Sequence, residues 1–284
     1  MEVPVLGPIP TQPFDLESLQ GPPEPGRQLD LHIDLEGSGG RMNTLNGVCA
    51  IGLYGVDTVT LKPILSYEVA VTPLVCDDPV QIKTFWEIPA HQSAWKRIVE
   101  ARRPRLEVAS EIVAITGRLK DLGWKLMLFA RPACYDFREL TGFFQSLGVE
   151  YARFTLSDLE SGIAETGALP SVGALKYVLS RASAQMVTGF SLDQKVEEDS
   201  RGTMTSPFGF GGASHVTCVG QIFIGIAFGL GFEPAGFNDV MKRVIGRSAL
   251  AHGGLQDAID QAATWYAVRE ARGNPARLRE LLEK

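Results

Sequence analysis

Four carboxylates and one histidine, widely separated along the chain, stand in settings that suit metal-dependent chemistry. They are Asp34, Glu36, Asp136, His252 and Asp257. Carboxylate oxygens are the ligands that hard divalent cations prefer, and a histidine can take a proton from water near neutral pH. The set therefore predicts a site that holds two such cations and cleaves phosphodiester bonds.

The first two carboxylates belong to a segment in which apolar and polar residues alternate. The alternation starts at Leu29 and predicts a β-strand. Because side chains two apart on a strand share a face, Asp34 and Glu36 point the same way. They could bind a cation together, or they could form an ordinary solvent-facing edge of the strand.

Asp136 follows an apolar segment, residues 124–130, that predicts a buried strand, and it begins a predicted helix over 136–147. It therefore lies at the carboxyl end of a strand, where α/β sheets hold their ligands. The alternative is that this carboxylate caps its own helix.

His252 and Asp257 lie on either side of Gly253-Gly254, just before a predicted helix over 255–271. The two glycines predict a loop at His252 and place Asp257 in the first helical turn. His252 would then be free to act as a base, although an ordinary surface histidine is the alternative. The stop signal at residues 273–275, Gly-Asn-Pro, supports the helix in either case.

The remaining segments must position these groups. Residues 1–28 hold seven of the 17 prolines, which predicts an irregular N-terminal arm. Residues 29–284 form the main domain, in which three antiparallel strands (29–35, 45–53 and 61–72) precede helices and further strands, including one at 151–156. A glycine- and serine-rich stretch, about 170–246, predicts an inserted helical and loop subregion.

The composition is that of an ordinary globular protein, with 45% hydrophobic and 21% charged residues in 284. A net charge of −6 gives no general attraction for nucleic acid, unless bound cations neutralise the carboxylates locally. None of the four cysteines has metal-binding spacing, which predicts buried, reduced thiols; they are Cys49, Cys76, Cys134 and Cys218. Reduced thiols indicate a cytoplasmic protein, or a protein inside a host cell if the source is viral. The apolar run 216–232 is too short for a membrane span and predicts a buried helix.

Together the motifs resemble the DEDDh class of 3′→5′ exonucleases, which have a ribonuclease H-like fold. Asp34 and Glu36 match the first motif, Asp136 the second, and the His252–Asp257 spacing the third. The match covers about residues 29–158 and 246–272 and is closest to the phage exonucleases and small bacterial exoribonucleases. It implies a mixed five-stranded sheet flanked by helices, with a three-strand antiparallel meander, further parallel strands and a large insertion before the last helix.

The resemblance also implies an activity. It is hydrolysis of single-stranded DNA or RNA from the 3′ end, with release of nucleoside 5′-monophosphates and no membrane involvement. The four carboxylates would hold two Mg²⁺ or Mn²⁺ ions, and His252 would be the general base. The chain departs from the family at Gly37 and Ser38, where family members often carry a threonine directly after the glutamate.

Substrate contacts are predicted less directly. Gly37 and Ser38 could offer backbone amides to the 3′ end. Phe85 and Trp86 could stack on a base or form the apolar face of a helix. The basic patch, which includes Arg103, could bind phosphates or be a solvated helix end. Its members are Lys96, Arg97, Arg102, Arg103 and Arg105.

Two other functions are compatible with the same residues. One is a non-catalytic nucleic-acid-binding or scaffold protein on this fold. The other is a phosphodiesterase restricted to short oligonucleotides, with residues 170–246 closing its groove. The arm or that segment could also contact a second copy of the chain or a protein partner.

Overall fold

A computed structural model describes most of the chain. The described residues are 6–38, 47–73, 77–131, 136, 139–140, 143, 203–205, 215–246 and 252–284, with the backbone alone at 203–205 and 215–217. The predicted strand at 151–156, two of the cysteines (Cys76 and Cys134) and most of the predicted helix 136–147 lie outside these residues. Asp136, Glu139, Leu140 and Phe143 are helical, as predicted.

Strands within the described residues form one mixed sheet in the order β4-β3-β2-β1-β5-β7-β6. The strands are β1 (Gln28–Gly37), β2 (Val48–Asp57), β3 (Pro63–Val71), β4 (Arg102–Arg103), β5 (Lys125–Ala130), β6 (Thr203–Thr205) and β7 (His215–Cys218). The first three make the predicted antiparallel meander, while β5 runs parallel to β1 and β7 runs parallel to β5.

The helices flank this sheet. They are α1 (Pro79–Gln81, continued by a π-helical turn, Ile82–Trp86), α2 (Gln92–Glu100), α3 (Arg105–Asp121), α4 (Val219–Gly229), α5 (Phe237–Ile245), α6 (Gly254–Glu270) and α7 (Pro275–Leu282). Local signals start two of them. Asp78 caps α1 by accepting the Val80 N–H at 2.8 Å, and Asn274 caps α7 in the same way.

The prediction of a mixed α/β sheet of five main strands flanked by helices is confirmed. The described sheet has seven strands, because two-residue β4 and three-residue β6 extend the central five at its edges. Such short strands carry too few residues for any alternation to be read. Strand β7 and helices α4 and α5 lie in the segment interpreted as an insertion, and β7 belongs to the main sheet.

The sheet packs against a different set of helices on each of its two faces. One face carries the odd-numbered residues of β1, including Leu29, Leu31 and Ile33, which pack in the main core with α3. The second core, which includes Phe129 of β5, joins α4, α5, α6 and α7. None of the helices in the described ranges combines the length and apolar character that a membrane span requires.

The described part of the N-terminal arm lies on the body of the protein. Ile9 and Leu19 are buried, and the Trp124 Nε1–H donates to the carbonyl oxygen of Gln20 at 2.8 Å. The Arg97 Nε–H donates to the carbonyl oxygen of Gly7 at 2.5 Å. These contacts fasten the arm at both ends of its described length.

The closest approach between sheet and helix is made by two glycines. A Cβ added to Gly52 of β2 would lie 1.9 Å from the carbonyl carbon of Gly254, the first residue of α6. A Cβ on Gly254 would lie 2.7 Å from the Gly52 nitrogen and 3.1 Å from the Asp34 carbonyl oxygen. Only glycine at both positions lets the start of α6 rest directly on the sheet backbone.

Replacing Gly52 by alanine should therefore be strongly destabilising, because the new methyl group meets backbone atoms that cannot rotate away. We expect Gly52→Ala to lower the free energy of unfolding by at least about 3 kcal/mol, the upper range for overpacking, as measured by urea denaturation. The matched control is Gly117→Ala in α3, where a Cβ meets nothing within 4 Å. That control should be neutral or stabilising by up to about 1 kcal/mol. Equal stability of the two variants would contradict the close approach.

Candidate functional site

The site begins on the polar face of β1, which α6 covers. His32 Nδ1 lies 3.1 Å from Gln261 Oε1, and the Tyr266 hydroxyl donates to Asp30 Oδ2 at 2.8 Å. Asp34 and Glu36 continue this face toward the end of the strand, as alternation requires. Glu36 is only 7% exposed and Asp34 is partly buried. The alternative of a solvent-facing acidic pair is therefore wrong.

Asp136 reaches the same end of the sheet from the helical segment after β5. Its carboxylate accepts hydrogen bonds from the backbone N–H groups of Leu35 and Arg131. The side chain is 2% exposed, and its Oδ2 atom is buried without a hydrogen-bond partner among the described atoms. Asp136 therefore joins the ends of β1 and β5, and one of its oxygens is left to bind something else.

Helix α6 brings the last two groups. Asp257 lies in its first turn, and its Oδ2 accepts the His252 N–H at 3.0 Å. His252 has a φ of 50°, a left-handed conformation uncommon outside glycine, at the turn that precedes the helix. Its Nδ1 lies 3.9 Å from Glu36 Oε2. One donor atom each from Glu36, His252 and Asp257 lie within 4.8 Å of one another.

The electrostatics of the four carboxylates are those of a crowded anionic site. Burial raises the pKa of Asp34 well above its usual value, and the charges of Asp136, Asp257 and Glu36 raise it further. Burial and the charge of Asp257 act on Glu36 in the same direction. Burial also raises the pKa of Asp136, although its two backbone hydrogen bonds oppose this. A divalent cation would relieve both the repulsion and the loss of hydration.

His252 is held by aromatic neighbours at the edge of this cluster. Its ring centroid lies 4.0 Å from that of His91 and 4.9 Å from that of Phe85. Burial and the neighbouring His91 lower the pKa of His252 to about 4. The imidazole is therefore neutral at pH 7 and has a lone pair that can accept a proton.

Trp86 and Ser38, two of the predicted substrate contacts, are both buried and hydrogen-bonded within the fold. Trp86 is fully buried, stacks on Trp95 at 5.1 Å and donates its Nε1–H to the carbonyl oxygen of Gly37 at 2.9 Å. Ser38 is also fully buried, and its N–H donates to the carbonyl oxygen of Gly47 at 2.6 Å. The indole of Trp86 is enclosed and the amide of Ser38 is already paired, so these observations give no support to a nucleotide contact at either residue. Phe85 is half-buried against His252.

The basic patch is largely neutralised within the fold. Arg103 is 8% exposed and pairs with Glu111 at 2.6 Å, which favours a structural role over the predicted phosphate contact. Arg97 pairs with Glu68 at 2.8 Å, and Arg102 with Asp77 at 2.7 Å. Arg105 is buried with its guanidinium over Phe143, and exposed Lys96 pairs with Glu100. The sequence shows a cluster of basic residues, but it does not show the acidic residues that pair with them in the folded protein.

The chain matches no protein-family model, no curated protein and no solved structure. The interpretation of the site therefore depends on its own geometry and chemistry.

The five predicted residues do converge. Asp34, Glu36, Asp136 and Asp257 are close enough to perturb one another's ionisation, and His252 contacts two of them. Carboxylate oxygens gathered at the end of a sheet, one of them buried without a partner, are a donor set that fits a hard divalent cation. A neutral histidine beside them can serve as a base.

Sequence reasoning missed two residues near this cluster. The ring of His91 lies against that of His252, and its Nδ1 is 2.9 Å from the carbonyl oxygen of Phe85. Arg131 was not considered, although it follows β5 directly and so stands at the strand end that drew attention to Asp136. That position was the signal that could have found it.

Replacing Asp136 by asparagine tests the repulsion between the carboxylates. A carboxyl group whose pKa is raised by folding stabilises the protein below its unfolded pKa, near 4, and loses that stabilisation as the pH rises toward the folded value. In EDTA at pH 8 we therefore expect Asp136→Asn to melt above the wild type, by about 2–4 °C for each kcal/mol of repulsion removed. The difference should shrink at pH 5.

If the cluster binds Mn²⁺ and the ion raises the Tm of the wild type, the same variant should lose most of that rise, because Asp136 would be one of the ligands. Asp121→Asn, which removes an exposed carboxylate at the end of α3, is the control and should respond to Mn²⁺ as the wild type does. Differential scanning fluorimetry in EDTA and in Mn²⁺ measures both effects. A wild type that Mn²⁺ does not stabilise, or an Asp136→Asn that behaves like the control, would argue against the cluster as a cation site.

Proposed function

We propose that this protein is a metal-dependent 3′→5′ exonuclease of the DEDDh type, on a ribonuclease H-like arrangement of the sheet. The observation that carries the proposal is the convergence of four carboxylates and one neutral histidine at the carboxyl end of β1 and β5. The order of the five central strands, β3-β2-β1-β5-β7, is compatible with that fold.

Asp34, Glu36, Asp136 and Asp257 would hold two divalent cations, Mg²⁺ or Mn²⁺. Cations bound there would supply Lewis acidity toward the attacking water and the departing 3′ oxygen. Asp136 is fixed by backbone hydrogen bonds to both strands, and Asp257 by the turn that starts α6. These rigid supports are what a site of this kind needs, because small displacements of the reacting groups cost much of the rate.

His252 would take the proton from the attacking water. Its neutral ring can accept a proton, and its position is set by the Asp257 hydrogen bond on the backbone and by the rings of Phe85 and His91. The water would attack the last phosphodiester linkage, and a nucleoside 5′-monophosphate would leave from the 3′ end of a single strand.

A specific observation favours a narrower substrate as a second candidate. The arginines of the basic patch are occupied by Glu68, Asp77 and Glu111, so this part of the described surface offers no track for a long phosphate backbone. A protein that grips only the last few nucleotides would act as a phosphodiesterase on short oligonucleotides.

The direct test uses 5′-labelled single-stranded DNA and RNA with Mg²⁺, Mn²⁺ or EDTA. We expect a ladder that shortens from the 3′ end only when a cation is present, and loss of more than about 100-fold of the rate in Asp34→Asn. Even groups outside the ligand set commonly contribute 10- to 100-fold in metal sites. Asp121→Asn is the matched control and should cleave normally. Undiminished cleavage by Asp34→Asn, or cleavage in EDTA, would refute the assignment.

The role of His252 has its own test. We expect His252→Ala to lower kcat by roughly 10²- to 10⁴-fold, the usual contribution of a positioned base, while Mn²⁺ affinity measured by calorimetry stays within a few fold. A large loss of Mn²⁺ affinity would instead make His252 a ligand of the cation, as its place within 4.8 Å of the Glu36 and Asp257 donors allows.

A series of oligonucleotides of two to twenty residues separates the two candidate substrates. If the protein grips only the end, kcat/KM should be highest for the shortest members and should respond weakly to salt, because few phosphates are neutralised. Rates that rise with length and fall steeply with salt would favour the general single-strand exonuclease.

A further inference from the structure

Arg131 neighbours two of the carboxylates at the end of the sheet, Asp34 and Asp136. It follows Ala130, the last residue of β5, which pairs with Ile33, the residue directly before Asp34. Its backbone N–H donates to the carboxylate of Asp136. The fold therefore places this residue beside Asp34 and Asp136.

The side chain is held by a rigid apolar support. Its guanidinium carbon lies 4.4 Å from the centroid of the Phe237 ring. Phe237 is buried at the start of α5 and stacks on Phe223 of α4 at 5.8 Å. A guanidinium that rests its face on an aromatic ring keeps its in-plane N–H donors for an anion, and it loses little conformational freedom on binding.

The setting of this arginine differs from that of Arg97 and Arg102. Arg97 and Arg102 each pair directly with a carboxylate that neutralises them. Arg131 lies instead on an aromatic ring, and its positive charge lowers the pKa of Asp34 and Asp136 against the larger effect of burial. A phosphate that approaches four carboxylates is repelled, and a fixed guanidinium beside them supplies the opposite potential.

We propose that Arg131 binds a phosphate group of the substrate at the bond that is cut. The inference rests on the proposed function and adds a contact to it. The ligand is a nucleotide phosphate, held by charged hydrogen bonds from the guanidinium, and it becomes the 5′-phosphate of the released product. Arg131 is then a substrate-contacting residue whose orientation depends on the ring of Phe237.

The experiment measures binding rather than turnover. The affinities of uridine and thymidine 5′-monophosphates, and of the two parent nucleosides, are determined by calorimetry in Mg²⁺ for the wild type, Arg131→Gln and Arg131→Lys. The matched control is Arg272→Gln, because Arg272 is exposed and also lies over an aromatic ring, 5.8 Å from the Trp265 centroid. Melting temperatures verify that each variant is folded, and Arg131→Lys retains the positive charge if Arg131→Gln does not fold.

We expect Arg131→Gln to weaken both monophosphates about 10- to 100-fold, the usual contribution of hydrogen bonds to a charged group. Nucleoside affinity should change less than twofold. Arg131→Lys should lie between the two, because it keeps the charge and loses the planar fork, and Arg272→Gln should match the wild type.

Two results would overturn the proposal while leaving the exonuclease intact, provided that the wild type cleaves oligonucleotides. One is an unchanged monophosphate affinity in Arg131→Gln. The other is an equal loss for nucleosides and monophosphates, which would mean that Arg131 shapes the site without contacting phosphate. A wild type that neither cleaves nor binds monophosphates would overturn both the function and this contact.

Discussion

The contact between Gly52 and Gly254 is the constraint on which the rest of the site depends. The start of α6 lies on the backbone of β2 at a distance that no side chain could share. This contact places Asp257 in the first helical turn beside Glu36, and it sets the turn on which His252 stands. Without it, the two halves of the cluster, one on β1 and the other on α6, would be separate.

The contact between α6 and the sheet buries the polar face of β1. Asp30, His32 and Glu36 are buried against α6, where a strand of an ordinary core would carry apolar side chains. Asp30 and His32 have polar partners. Tyr266 and Gln28 donate to Asp30, and Gln261 lies beside His32. At the carboxyl end of β1, by contrast, Asp34 and Glu36 have other carboxylates as neighbours. Burial of like charges is unfavourable unless something of opposite charge is bound, so a cation bound there, as proposed, would relieve the repulsion.

The elements that carry the site could be predicted because each has a local signal. Alternation marks β1, and the Gly-Asn-Pro stop marks the end of α6, which closes at Glu270. Alternation placed Asp34 and Glu36 on one face of β1, and the two glycines placed Asp257 in the first turn of α6, whereas their grouping into one site was an expectation from the resemblance. The prediction that Cys49 and Cys218 are buried free thiols was also correct, since both stand in apolar strand segments.

What could not be predicted depends on contacts between distant segments. Trp86 and Phe85 are neighbours in sequence, yet only the fold reveals that Trp86 is enclosed and that Phe85 faces His252. Arg103 looked available because its partner, Glu111, lies in the next helix. The same limit hid His91, whose neighbour His252 stands on the turn before α6, and Arg131, whose neighbour Phe237 begins α5.

The most direct test of the central claim is a calorimetric titration of the metal-free protein with Mn²⁺ in buffers of different ionisation enthalpy. Burial raises the pKa of Asp34, Glu36 and Asp136, so these groups hold protons to a higher pH than ordinary carboxyl groups, and cation binding must release those protons. The account predicts two bound ions per chain, with a proton release that declines as the pH rises. Binding without proton release, or no binding at millimolar Mn²⁺, would contradict it.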